Sequence, residues 1–199
     1  MKERPILFSA PMVRAILAGT KTQTRRIAAG CDDLVEILLQ FPKQNSSPFG
    51  QPGDQLWVRE RFCPIFPQDP HYNSGKPIEY DYAATYKHGY RLGDLIGEKK
   101  KWSPSIHMPR AASRITLEIT SVRIEPLQGI SIEDAKAEGV WTHESVVSDC
   151  MSHFGIDALA VNPRLAFQML WDQINGPSSW DANPWVWVVE FKRMKKDAA

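Results

Sequence analysis

Apolar positions along this chain change their period several times, and each change predicts an element. Ile6 to Phe8 is a short apolar run read as a first strand. Ser9 stands where a helix cap would, Pro11 falls in a first turn where a missing N–H costs little, and Met12, Ala15 and Ile16 recur at helical spacing. Gly19 suits the left-handed position that closes such a helix. Gly53-Asp54 opens a strand, Gln55 to Phe62, whose alternation puts Leu56, Val58, Glu60 and Phe62 on one face and Trp57, Arg59 and Arg61 on the other. Ile78 to Tyr86 and Ile115 to Ile124 read as strands, the second reached through an irregular lead-in, Trp102 to Arg114, interrupted by Pro104 and Pro109. Ser131 with Asp134 three residues on is a capping pattern for a short helix that stops at Gly139. Arg164 to Ile174 is amphipathic, with Leu165, Phe167, Met169, Leu170, Trp171 and Ile174 as its apolar side. Trp185 to Phe191 is apolar on both faces in its middle, as in a central or barrel-closing strand, and Lys192 to Ala199 should fray.

Between these elements lie stretches near 28–52, 62–101 and 140–162 that read as insertions in a single domain. Leu34 to Phe41 fits helix and strand equally, and Gln44 to Pro52 is loop. With 199 residues, a net charge of +1 and 43% apolar content, the composition is that of a soluble globular protein. Charge so near zero argues against a coat for duplex DNA, while leaving room for a local basic pocket that takes one nucleotide or a short RNA. Cys31, Cys63 and Cys150 are odd in number and far apart, which predicts reduced structural thiols. The histidines stand at no metal-binding spacing, so neither a metal nor an organic cofactor is expected. The first residues lack the apolar run of a signal peptide and no stretch is long enough to span a bilayer; the expectation is a cytoplasmic protein without a membrane partner.

Candidate chemistry concentrates in Ile16-Leu-Ala-Gly-Thr-Lys-Thr-Gln-Thr-Arg-Arg26, which sets Lys21, three threonines, Arg25 and Arg26 directly behind a helix end. Side chains three apart on an extended chain point to opposite faces, so Lys21 and Thr24 share a site only if the backbone turns between them. An amine beside a hydroxyl can take its proton, as in covalent acyl transfer; the alternative is a solvated strand edge. Glu60, on the apolar side of its strand, needs either a cavity or an arginine partner. Tyr80 and Tyr82 share a face suited to stacking on a planar ligand or to covering a core edge. Trp102, Ser105, His107 and Arg110 are the residue types of a nucleobase pocket, or else a connector whose Trp and Met plug the core. Glu138, on the last turn of the capped helix, is a carboxyl group available for proton transfer, or an exposed helix end.

In order, the segments Ile16–Arg26, Gly53-Asp-Gln-Leu-Trp-Val-Arg-Glu60 and Glu133-Asp-Ala-Lys-Ala-Glu-Gly139, with the closing strand Trp185–Phe191, resemble the ASCH domain, and the Trp102–Arg114 lead-in is similar to that of its longer phage and prophage members. The resemblance implies a mainly β (α+β) fold, a small PUA-like β-barrel with flanking helices and loop insertions. It also implies RNA or a modified nucleoside as partner. Small bacterial members include amidohydrolases that deacetylate N(4)-acetylcytidine, and their machinery maps onto Lys21, Thr24 and Glu138. Arg25, Arg26, Glu60, Tyr82, Trp102, His107 and Arg110 are the residues expected to hold substrate. A non-catalytic RNA-binding module and a ribonuclease are the other activities the resemblance admits.

Overall fold

A computed structural model describes residues 1–28, 47–67, 69, 71–87, 101–140 and 162–194 of the chain. The undecided segment Leu34–Phe41, Cys31, Cys150 and most of the 140–162 stretch lie outside the described residues. In chain order the elements are β1 (Glu3–Leu7), α1 (Ala10–Ala18), β2 (Gln23–Ile27), β3 (Gln55–Arg59), β4 (Phe62–Ile65), β5 (Glu79–Tyr82), β6 (Thr116–Pro126), α2 (Ile132–Ala137), α3 (Pro163–Asn175) and β7 (Trp185–Arg193). The class is therefore sheet-dominated α+β, as expected.

Five strands form one sheet in the order β1-β3-β6-β7-β2, and β4 pairs with β5 in a separate ladder. β1 runs parallel to β3, while β3–β6, β6–β7 and β7–β2 are antiparallel. The apolar strand β7 is central, which explains why both its faces are apolar. Val186 and Val188 pack with α2 and α3 in a core containing Ala135, Val140, Ala166, Phe167, Leu170 and Trp171. Val189 and Phe191, of opposite parity, join Ile6, Phe8, Met12, Val13, Ile16, Leu56 and Val58 in a core around α1. β1 and β2 are the sheet's edges, and no ladder among the described residues joins them. A side chain spans the gap instead: Arg26 Nη2 donates to the Leu7 carbonyl at 2.7 Å, and its guanidinium lies over the Phe8 ring at 5.4 Å.

The local signals hold in most places. Gly19 closes α1 at φ 78°, and the Ser131 hydroxyl accepts from Asp134 N at 3.0 Å to cap α2. Ser9 occupies the N-cap of α1, but its hydroxyl makes no capping bond. The strand read as Gln55–Phe62 is broken at Glu60-Arg61: the Glu60 N–H goes to Met108 Sδ at 3.3 Å rather than to a ladder, and Phe62 starts a new pairing with Tyr82. The run Ile78–Tyr86 shortens to β5, and β7 continues past Phe191 to Arg193, held by pairing with Leu117. Ile174, placed on the apolar side of α3 by its spacing, is 53% exposed.

Gly139 is closely approached by Lys21 and Ala15. Its φ is +74°, and a Cβ there would fall 2.9 Å from Lys21 Cβ and 3.0 Å from Ala15 Cβ. Gly139→Ala is therefore expected to cost about 1–3 kcal/mol, combining a left-handed backbone penalty with overpacking. Urea unfolding measures it; a midpoint equal to the parent's would refute the close approach.

Candidate functional site

The turn at Gly19 redirects the chain under the end of α2. Thr20 N and Lys21 N both donate to the Ala15 carbonyl, at 3.0 and 3.2 Å, and Thr22 N donates to the Ala137 carbonyl at 2.9 Å. Lys21 and Glu138 then form an isolated antiparallel bridge. That bridge, 117 residues apart in sequence, places the two side chains together: Lys21 Nζ donates to Glu138 Oε2 at 2.8 Å and to the Glu138 carbonyl at 2.9 Å. Both residues are buried, at 2% and 4% exposure, so Glu138 is no solvated helix end. Arg25 Nη1 completes the grip on the carboxylate, donating to Oε1 at 3.2 Å.

Arg25 itself belongs to a wider network. Register sets Arg25, Val188 and Arg123 in one row across β2, β7 and β6, on the face covered by α2. Arg25 Nη2 donates to Glu125 at 2.6 Å and to Asp134 at 3.0 Å. Arg123 donates to the same two carboxylates, at 3.0 Å to Glu125 and 3.0 and 3.1 Å to Asp134, and pairs with Glu190 toward solvent. Burial alone would raise the Asp134 carboxyl, but Arg25 and Arg123 hold it below its ordinary range. For Lys21, burial is the largest influence and pulls its pKa below the ordinary 10.5; Glu138 opposes the shift, and Arg26 and Arg25 add to it. Burial likewise lowers Arg26, against the pull of Glu138.

A cavity of about 330 Å³ opens along β2. Thr24, Arg25, Arg26 and Glu138 form its polar side, and Met12, Ile27, Phe49, Phe167, Leu170, Trp171 and Ile174 its apolar wall. Consecutive residues of one strand line it, because β2 is an edge strand and presents its rim rather than a face. Lys21 and Thr24 need no common strand face: Thr24 borders the cavity directly, and Lys21 sits behind it, bonded to the Glu138 that borders it. Thr24 is 2% exposed. Two residues of this wall carry a buried N–H group with no hydrogen-bond partner among the described residues, Arg25 Nε and Trp171 Nε1. Arg26, beyond its bond to Leu7, forms no ion pair with a described residue.

The other residues expected at the site are elsewhere. Glu60, 1% exposed, is held by Arg114 through paired bonds of 2.8 and 2.9 Å, so the arginine-partner alternative is the observed one. Tyr82 donates its hydroxyl to the Ala112 carbonyl at 2.8 Å and carries the Arg114 guanidinium 3.9 Å above its ring. It borders a second cavity of about 600 Å³, together with Tyr80, Asp81, Thr85, Tyr86 and Arg114. Of Trp102, Ser105, His107 and Arg110, expected in a nucleobase pocket, none lines either of these two cavities. Trp102 meets Tyr86 edge-on at 5.3 Å, His107 is exposed, and Arg110 is engaged by Glu3 through two bonds of 2.9 Å. Met108, fully buried, plugs the core under β4 as the connector alternative requires. Sequence reasoning missed Phe8, Arg114, Arg123, Glu125 and Asp134 as members of these sites. Arg123 and Glu125, alternating on one face of a strand, were the signal for the network.

No helix among the described residues is long and apolar enough to cross a membrane. Neither a family model nor a curated protein matches the chain. One solved structure it is similar to is the ASCH domain from Lactobacillus crispatus JV V101, at 13% identity over 96% of this chain and 79% of that chain, with a TM-score of 0.39.

Proposed function

We propose that this chain is an ASCH-type, RNA- or nucleoside-binding protein whose smaller cavity hydrolyses the amide of an N(4)-acylated cytidine. One observation carries the proposal: the Glu138 carboxylate, gripped by Lys21 at 2.8 Å and Arg25 at 3.2 Å, borders the same cavity as Thr24 and Arg26. In this scheme neutral Lys21 takes the Thr24 hydroxyl proton as that oxygen attacks the acyl carbon, or takes the proton of an attacking water that Thr24 orients. As the C–N bond breaks, Glu138 relays to the departing cytidine amine the proton that Lys21 has taken, and in the acyl-enzyme route water then releases the acyl group as a carboxylate while a proton returns to Thr24. Arg26 stabilises the oxyanion of the tetrahedral intermediate. What supports the ASCH assignment is the joint order of its sequence motifs, now seen to bring Lys21 to Glu138.

A binding-only role remains the second reading, favoured by Arg26, a cation on the cavity without an ion-pair partner among the described residues. Incubation with N(4)-acetylcytidine and with unstructured RNA separates the readings, with Lys21→Ala as control. Release of cytidine that depends on Lys21 is the expected result. No turnover of any acylated cytidine retires the amidohydrolase, and cleaved RNA substitutes a nuclease.

A further inference from the structure

We propose that Asp134, Glu125 and Arg123 are positioning residues for the Lys21–Glu138 pair: with Arg25 they close a ring of charges that presents one nitrogen, Arg25 Nη1, to the Glu138 carboxylate. Their role rests on the amidohydrolase reading, while the ring itself stands on its own bonds. Arg25 and Arg123 lie in one row across β2, β7 and β6, where two guanidiniums repel each other unless anions come between them. Glu125 reaches in from β6 and Asp134 from the first turn of α2, and each accepts from both arginines. Paired guanidiniums and paired carboxylates make the ring formally neutral. Glu190, more exposed than any ring member, pairs with Arg123 from outside, where water screens it. Lys21 is thereby left as the counterion of Glu138.

Distances point the same way. Arg25 Nη2 holds Glu125 at 2.6 Å and Asp134 at 3.0 Å, whereas Nη1 meets Glu138 at 3.2 Å, longer than the 2.8 Å bond from Lys21 Nζ. Shorter charge-assisted bonds are the stronger ones, so the guanidinium is drawn toward the ring and steers Glu138 Oε1 more than it clamps it. That balance suits a relay. Glu138 must accept the proton that Lys21 has taken, and an unopposed guanidinium would keep its carboxyl ionised. A surplus carboxylate would instead hold Lys21 as ammonium. The charged groups facing Lys21 are Glu138 from the end of α2 and Arg25 and Arg26 from β2; the Phe8 ring and Ala15, also close to it, carry no charge. Asp134 is faced by Arg25 and Arg123.

Titration of Lys21 tests the ring without any substrate, read by NMR from its ε-carbon in protein carrying isotope-labelled lysine and assigned by the signal missing from Lys21→Ala. Asp134→Asn leaves the ring net positive and is expected to move the titration down by about one pH unit; Arg123→Gln leaves it net negative and moves it up by about as much. Glu133→Gln, an exposed charge change on the same helix, keeps the parental value. The rising limb of kcat/KM for N(4)-acetylcytidine shifts with the same signs. Melting temperatures check that the variants fold, and Glu125→Gln takes the place of Asp134→Asn if that variant unfolds. Failure of either ring variant to move Lys21 in its stated direction by more than about 0.3 pH unit overturns the inference. Opposite shifts in a protein inert toward acylated cytidines uphold the ring and retire the hydrolase reading alone. Turnover by the parent with Lys21 unmoved in the variants retires the ring alone.

Discussion

Lys21→Ala is expected to lower kcat/KM for N(4)-acetylcytidine by about 10³-fold, the range of a lost general base. The fold should survive the change, because Glu138 keeps Arg25 as partner at 3.2 Å and is not left as an isolated buried charge. A pH profile adds a sharper check on the parent enzyme. Only the neutral amine accepts a proton, so activity must rise with pH through the folded-state pKa of Lys21. Burial, helped by Arg26 and Arg25, places that limb below the ordinary 10.5. A limb at or above the ordinary lysine value, or a Lys21→Ala enzyme with near-parental kcat/KM, would falsify the role of the amine.

The second large effect falls on stability. Arg25→Leu strips a fully buried guanidinium from Glu125, Asp134 and Glu138 together, and breaking buried pairs of this kind costs about 3–5 kcal/mol. The deficit should depend on pH with a defined sign. The Asp134 carboxyl is held below its ordinary 3.8 in the fold by Arg25 and Arg123, against burial. A depressed carboxyl contributes stability that is fully present above the unfolded pKa and is lost as pH falls through the folded one. The parent therefore loses that contribution in acid, while the variant has less of it to lose. Urea midpoints of the two proteins should converge as pH drops below the carboxylate range. A gap of constant size from neutral to acid pH would show that lost packing, not stranded carboxylates, sets the cost.

Much of the site was legible because its signals are local. Gly19, the Ser131–Asp134 cap and Gly139 mark two helix ends, and those ends are what bring Lys21 and Glu138 together. Ion pairing was not legible in the same way. Arg25 meets its carboxylates across 100, 109 and 113 residues, separations that carry no periodicity, and Glu60 finds Arg114 only once β3 breaks. The surroundings of the irregular lead-in to β6 were illegible for a related reason: packing turns Met108 inward, ties Arg110 to Glu3 and leaves His107 exposed. Asn162 was overlooked as the cap of α3, although its side chain accepts from Leu165 N at 3.3 Å, because it closes a stretch with no pattern of its own.

The crossing from Arg26 to Leu7 has a mechanical corollary. A seam stitched by a guanidinium instead of rungs of amide bonds can part through rotations about one residue's single bonds, with every rung of the five strands intact. Because Arg26 also lines the space beside β2, one side chain both holds the seam and borders that space.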